Sequence, residues 1–139
     1  MGPITLAMLQ HHAIVNRFLL DFERKGSKSQ KLFDLFRWNL QKHMFAEEMN
    51  IFPVTNRKSR TEMTEMENLM KDHRDIRGIV DSLEEDISAG EKADSSVLRE
   101  LLFRHEGREI DSFYPKLDER LSADEKKALV ERLKDITLG

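Results

Sequence analysis

Apolar residues recur every three or four positions along almost the whole chain, and no stretch alternates as a half-buried strand would. This period predicts helices throughout. The first is expected over roughly Ile4–Lys25, with an inner stripe of Met8, His12, Val15, Leu19 and Phe22, and Gly26-Ser27-Lys28-Ser29 forms the turn after it. A second helix, roughly Gln30–Ile51, should turn Leu32, Leu35, Phe36, Leu40 and His43 inward. It should stop at Pro53, because proline cannot donate the next helical hydrogen bond. A third begins near Ser59, carries Met63, Met66, Met70, His73, Ile76, Val80, Leu83 and Ile87, and ends near Gly90. The fourth carries Val97, Leu98, Leu101, Leu102, His105, Glu109 and Phe113 and is expected to stop at Pro115. Ser122-Ala-Asp-Glu125 has the form of a capping box, opening a short fifth helix through Ile136 that docks by Leu129, Val130, Leu133 and Ile136. Short turns place successive long helices antiparallel. The expected class is therefore all-α: an up-down-up-down four-helix bundle over about residues 4–115, with an appended helix over about 122–137.

Histidines interrupt these apolar stripes in a repeated way. His43-Met-Phe-Ala-Glu47 is followed by Ile51-Phe52-Pro53, and His105-Glu-Gly-Arg-Glu109 by Phe113-Tyr114-Pro115. A lone histidine precedes each block, His12 by 31 residues and His73 by 32, so the chain reads as two copies of one unit offset by 61 or 62 residues. In an antiparallel hairpin two residues are level when the turn lies midway between them. The midpoint of 12 and 43 falls inside Gly26–Ser29, and the midpoint of 73 and 105 is 89, beside Gly90. Each histidine pair is thus level across its own hairpin. Within the second and fourth helices, a Glu four residues after the His lies on the same face, one turn away. Four imidazoles and two carboxylates should converge at mid-height in the bundle, where unpaired polar groups are costly and a bound metal removes that cost.

Composition narrows the chemistry. The 139 residues suit a single domain spanning 1–139, with 35% charged and 39% hydrophobic residues. The net charge of −3 comes from 23 basic and 26 acidic residues, with no basic patch or arm to suggest nucleic acid or an anionic membrane as partner. No apolar run is long enough to span a bilayer. Met1-Gly2-Pro3-Ile4 lacks the form of a signal peptide, and a cytoplasmic protein is expected. With no cysteine there is no disulfide, iron–sulfur cluster or thiolate zinc site.

Imidazole with carboxylate and no thiolate fits iron or manganese, and also zinc. Six ligands exceed the four of a structural zinc site and the three protein ligands of a catalytic one. They suit two irons, each held by two histidines, with Glu47 and Glu109 bridging. The Glu-x-x-His motif of ferritin-like di-iron bundles is absent, since Leu9, Leu40, Met70 and Leu102 stand three residues before the histidines. His105–Glu109 resembles the zinc-protease helix only superficially, because its last residue is not histidine.

Taken together, His12, His43-x-x-x-Glu47, His73 and His105-x-x-x-Glu109, with Phe52-Pro53 and Tyr114-Pro115 closing their helices, resemble the hemerythrin-like (HHE cation-binding) family over about residues 5–117. The resemblance implies a non-haem di-iron centre, oxo- or hydroxo-bridged, and reversible binding of O2 or oxygen, iron or redox sensing. The expected partner is O2 or another small diatomic ligand. One departure matters. Oxygen-carrying members place a further histidine four residues after the third-helix one, where this chain has Arg77. That puts simple oxygen carriage in doubt and keeps two alternatives open. One is a di-iron enzyme with peroxidase, oxidase or nitric oxide chemistry, including iron-centre repair. The other is an interaction module that responds to metal state, with the fifth helix as its moving part.

The neighbours of the motif are not expected to be ligands. His11 lies a step off the first stripe and reads as surface or an outer partner. Glu48 and Glu106 point about 100° away from the ligand face, toward solvent or an outer partner. Arg77 is expected to extend to solvent. Met63, Met66 and Met70 read as adaptable core filler. Tyr114 has two readings, a hydrogen bond near the metals or closure of the end of the bundle, and the second is preferred because it lies more than a turn beyond Glu109. Gly78 and Gly107 are weighed as openings for a small ligand.

Overall fold

The computed structural model describes all 139 residues, and they form helices without a strand. Helix α1 spans Pro3–Lys25, α2 Gln30–Ala46, α3 Arg60–Ser88, α4 Ser96–Arg108, α5 Tyr114–Arg120 and α6 Ala123–Lys134. Local chemistry sets several ends. Ser29 and Ser59 accept hydrogen bonds from the Leu32 and Glu62 amides at the starts of α2 and α3. Gly90, at φ +77°, takes the left-handed conformation that turns the chain after α3. Ser122 and Glu125 complete the expected capping box of α6.

The start of α1 is capped from afar. Gly2 has no side chain to offer, and Asp118 of α5 accepts from the Ile4 and Thr5 amides, both at 2.9 Å, and from the Thr5 hydroxyl at 2.6 Å. A Cβ at residue 2 would lie 2.3 Å from the Asp118 Cγ, so only glycine fits this approach.

α1 packs on α2, α5 and α6, while α3 packs on α2 and α4, giving the up-down-up-down arrangement. The two turns at one end are tied by an Ala93 amide to Ser27 carbonyl hydrogen bond of 3.0 Å.

Three expectations are corrected. Leu35 and Val97 are exposed, and fully buried Phe33 occupies the stripe of Phe36, Leu40 and His43 instead. The spacing 33, 36, 40, 43 follows the helical period, which leaves Leu35 about 100° behind Phe36. Pro115 does not end the fourth helix. A π turn over Glu109–Phe113 precedes it, and Pro115 falls in the first turn of α5, where a missing amide hydrogen is tolerated. Continuation is favoured because it buries Leu117 and brings Asp118 to the start of α1. At Pro53 a matching π turn over Glu47–Ile51 passes into one 3-10 turn, Phe52–Val54, and the helix does end.

The apolar interior has two parts. Val15, Leu19, Phe36, Leu40, Ile76 and Leu102 belong to one, toward the 26–29 and 89–95 turns. Ile4, Met8, Ile51, Leu69, Phe113 and Leu117 belong to the other, which also takes in Leu129 and Leu133 of α6. Along each long helix a histidine falls between the two parts: after Met8, after Leu40, after Leu69 and after Leu102.

Candidate metal centre

That polar layer consists of His12, His43, Glu47, His73, His105 and Glu109, each buried. The level pairing read from the sequence is present: the His12 and His43 rings lie 4.9 Å apart between centroids, and His73 and His105 lie 5.1 Å apart. All four Nε2 atoms face the two carboxylates. The Glu47 Oε1 lies 3.1 Å from the His43 Nε2 and 3.2 Å from the His73 Nε2. The Glu109 Oε1 lies 3.1 Å from the His12 Nε2, and its Oε2 3.3 Å from the His105 Nε2. One nitrogen or oxygen from each of Glu47, His73, His105 and Glu109 lies within 4.8 Å of the others, and the same holds for His12, His43 and Glu109. Glu109 belongs to both sets. Each Glu stands between one histidine pair and the other, the position a bridging carboxylate requires.

The arrangement is unbalanced without a cation. His43 Nε2, His105 Nε2 and Glu109 Oε2 are buried with no hydrogen bond of acceptable geometry, although each has an oppositely charged or polar neighbour nearby. Three such atoms in one buried layer call for a partner that the neighbouring side chains do not supply. Hard and borderline donors without thiolate suit iron, manganese or zinc, so the residues present fit a metal.

Electrostatics describe the strain in the metal-free protein. Burial raises the Glu109 carboxyl and the negative Glu47 beside it adds to the effect, pushing it up to about 7. Burial acts the same way on Glu47, but the positive His43 beside it and the close approach of Glu109 and His105 outweigh it and hold Glu47 well below the usual carboxylate range. Burial opposes protonation of His73, yet Glu47 and Glu48 override it and carry the ring up to about 9. His105 is raised well above an ordinary imidazole, against burial, by Glu109 and Asp72. The same desolvation, with no comparable opposition, lowers His12. The raised His73 and His105 mark the layer as one that favours added positive charge, which a metal ion would supply in place of protons.

Of the two places the sequence left open for His11, Glu48 and Glu106, solvent or an outer partner, the structure gives each a partner. His73 Nδ1 donates to Glu48 Oε2 at 2.7 Å, and Arg77 holds both Glu48 oxygens at 2.8 Å. Arg77 therefore neither reaches a bridging carboxylate nor extends freely to solvent. His105 Nδ1 donates to Asp72 Oδ2 at 2.9 Å, and Arg108 pairs with the same oxygen. Asp72 escaped notice altogether, and its available signal was an acidic residue directly before a stripe histidine. His11, half-buried, sets its Nδ1 3.2 Å from the His43 Nδ1. Glu106 accepts from the Asn16 amide at 3.0 Å.

Tyr114 takes the less favoured of its two readings: its hydroxyl, fully buried, donates to the Glu47 Oε2. Five residues along an α-helix lie about 140° away from the starting face. The π turn closes through the Tyr114 amide onto the Glu109 carbonyl and restores Tyr114 to the face of Glu109. The same bond, Phe52 amide to Glu47 carbonyl, puts Phe52 over the centre in the other repeat, its ring centroid 5.3 Å from that of His73.

Gly107 lines a hollow of about 270 Å³ between α1 and α4 that reaches His12, and a Cβ there would meet nothing within 4 Å. Gly78 is exposed on α3. Met66 and Met70 pack against the apolar part beyond the centre. No helix is long and apolar enough to cross a membrane.

Comparison with known families finds a match to the hemerythrin HHE cation-binding domain over residues 3–129. The match reaches beyond the span carried by the motifs, through α5 and into α6. Comparison with curated proteins and with solved structures found no match.

Proposed function

The chain belongs to the hemerythrin HHE cation-binding family, and on that footing we propose that it is a cytoplasmic protein holding two iron ions and binding O2 or a related diatomic, in oxygen, redox or iron sensing or handling. The observation that carries this reading is the set of orphaned inward atoms, His43 Nε2, His105 Nε2 and Glu109 Oε2, inside a buried ring of four imidazoles and two carboxylates. His12 and His43 would hold one ion, His73 and His105 the other, and Glu47 and Glu109 would bridge them. When bound, the iron pair supplies electrons and open coordination positions for a diatomic ligand.

The chain's own residues do the rest. Tyr114 donates to Glu47 and fixes the plane of that carboxylate. Glu48 and Asp72 hold the Nδ1 protons of His73 and His105, which keeps each Nε2 lone pair inward. The two apolar clusters above and below the polar layer keep bulk water out. The hollow beside His12 gives a small ligand a short path to the centre.

The test is iron content, followed by the absorption spectrum of the anaerobically reduced protein before and after air. Two irons per chain, with a visible band that appears with oxygen and disappears on its removal, is the expected result. Two irons with irreversible oxidation would transfer the reading to the enzyme alternative. His73→Ala and Glu109→Ala proteins that still hold two irons would refute the ligand assignment.

A second reading has one observation in its favour. α6 packs on α1 and on the π turn that begins at Glu47. A change in how Glu47 is held would therefore reach α6 directly, as an interaction module driven by metal state requires. Equal amide-exchange protection of α6 in loaded, oxidised and metal-free protein would dispose of it.

A further inference from the structure

The four histidines present the same Nε2 geometry inward but differ in what backs them. His73 Nδ1 and His105 Nδ1 each rest on a carboxylate, Glu48 at 2.7 Å and Asp72 at 2.9 Å. Each carboxylate is paired in turn with an arginine, Arg77 or Arg108. His43 Nδ1 faces no carboxylate and lies 3.2 Å from the His11 Nδ1. No carboxylate lies on Nδ1 of His12, whose ring bonds only through Nε2 to Glu109. The carboxylate-backed histidines thus fall together, both in the set with Glu47 and Glu109, and the other two fall together in the set with Glu109. A carboxylate on Nδ1 fixes the ring and makes Nε2 a stronger donor to a metal than a neutral acceptor does.

Access differs in the same direction. His12 lines the hollow between α1 and α4, beside Gly107 and the Asn16–Glu106 hydrogen bond. His73 is wholly enclosed.

We propose that the two metal positions are unequal: the His73/His105 position fills first and retains its ion, and the His12/His43 position holds the second ion loosely and exchanges it through the α1/α4 hollow. Glu48 and Asp72 are the positioning residues that create the difference, and His11 is their weaker counterpart. The inference rests on the paired centre proposed above. It makes the chain respond to the supply of ferrous iron in two steps, one ion permanent and one that comes and goes.

The test is removal of Fe(II) from the fully loaded, reduced chain under nitrogen by a coloured chelator in excess. Two phases of one iron each are expected. Asp72→Asn and Glu48→Gln should weaken retention of the slow iron about 10- to 100-fold and leave the fast phase unchanged. Asp72→Glu should restore part of the loss. His11→Leu should quicken the fast phase alone. A general loosening of the fold would speed both phases together, so the partition separates positioning from damage. Loss of both irons in one phase overturns the inference, as does an effect of Asp72→Asn on the fast iron. A chain that loads a single iron overturns the paired centre instead. If that iron depends on Asp72 the ranking stands, and if it depends on His11 the ranking is reversed. A chain that loads none overturns both.

Discussion

Tyr114→Phe removes one oxygen from the interior and changes the packing shape very little, so its effect measures one hydrogen bond. The bond links two fully buried groups, the Tyr114 hydroxyl and the Glu47 carboxylate. Glu47 Oε1 already faces His43 and His73, so loss of the phenol leaves Oε2 without its donor. A hydrogen bond to a charged group contributes about 1.5–3 kcal/mol. For a chain of 139 residues, a loss of about 2 kcal/mol corresponds to a fall in melting temperature of roughly 5–10 °C. The assay is thermal and urea unfolding of metal-free protein, followed by circular dichroism, for the wild type, Tyr114→Phe, Glu47→Gln and the double variant. In the Glu47→Gln background the acceptor is uncharged, and Tyr114→Phe should cost about half as much. An equal cost in both backgrounds would refute the argument. Tyr114 would then be a packing residue at the end of the bundle, and the π turn would have no part in aiming it.

Three further outcomes follow from the same geometry. In metal-free protein, His73, raised to about 9, and His105, also raised, bind protons that the unfolded chain releases near pH 6.5. The contribution of each is complete below pH 6.5 and is lost as pH rises, through about 9 for His73, at roughly 1.4 kcal/mol per pH unit for each excess proton. Urea midpoints should fall over that window and flatten in loaded protein, where metal replaces the protons. Those same protons must leave when metal binds, so loading in weak buffer at pH 7.5 should release acid, and apparent affinity should rise with pH; a pH-independent affinity would contradict the assignment of His73 and His105. Gly2→Ala should displace Asp118 from the Ile4 and Thr5 amides and cost about 1–2 kcal/mol, read by the urea midpoint, whereas Gly107→Ala, with open space around it, should be tolerated or slightly stabilising.

The periodic stripe was enough to read the bundle and to bring six polar residues to one height, because both depend on a steady turn of about 100° per residue. Met8, His12, Val15, Leu19 and Phe22 are one buried face of α1, as that steady turn requires. Where the turn is not steady, the reading fails. Each repeat contains a π turn directly after its Glu, at Glu47–Ile51 and Glu109–Phe113, and nothing in an apolar period announces it. The register slips by one residue there, which carries Tyr114 onto the ligand face and lets the fourth helix pass Pro115. The proline six residues after each Glu was visible, and its meaning was inverted for the second repeat: it marks the widened turn before it as much as an end.

Asp72 went unread, and Glu48 could not be told from a solvent-facing residue, for a different reason. Asp72 and Glu48 lie about 100° from the ligand face, and a charged residue at that angle ordinarily meets water. What draws them in is contact with a neighbouring helix: buried Asp72 of α3 meets His105 and Arg108 of α4, and half-buried Glu48 of the π turn after α2 meets His73 and Arg77 of α3. Both contacts are between helices whose relative rotation no single-helix pattern contains. Arg77 illustrates the consequence. Read alone, it stands where oxygen-carrying relatives have a histidine and signifies a lost ligand. In the fold it reaches, through Glu48, the same His73 that begins its turn of helix. The side chain at this position thus steadies the imidazole beside it, and a metal held by His73 would be supported through the outer face of that ring by Glu48 and Arg77.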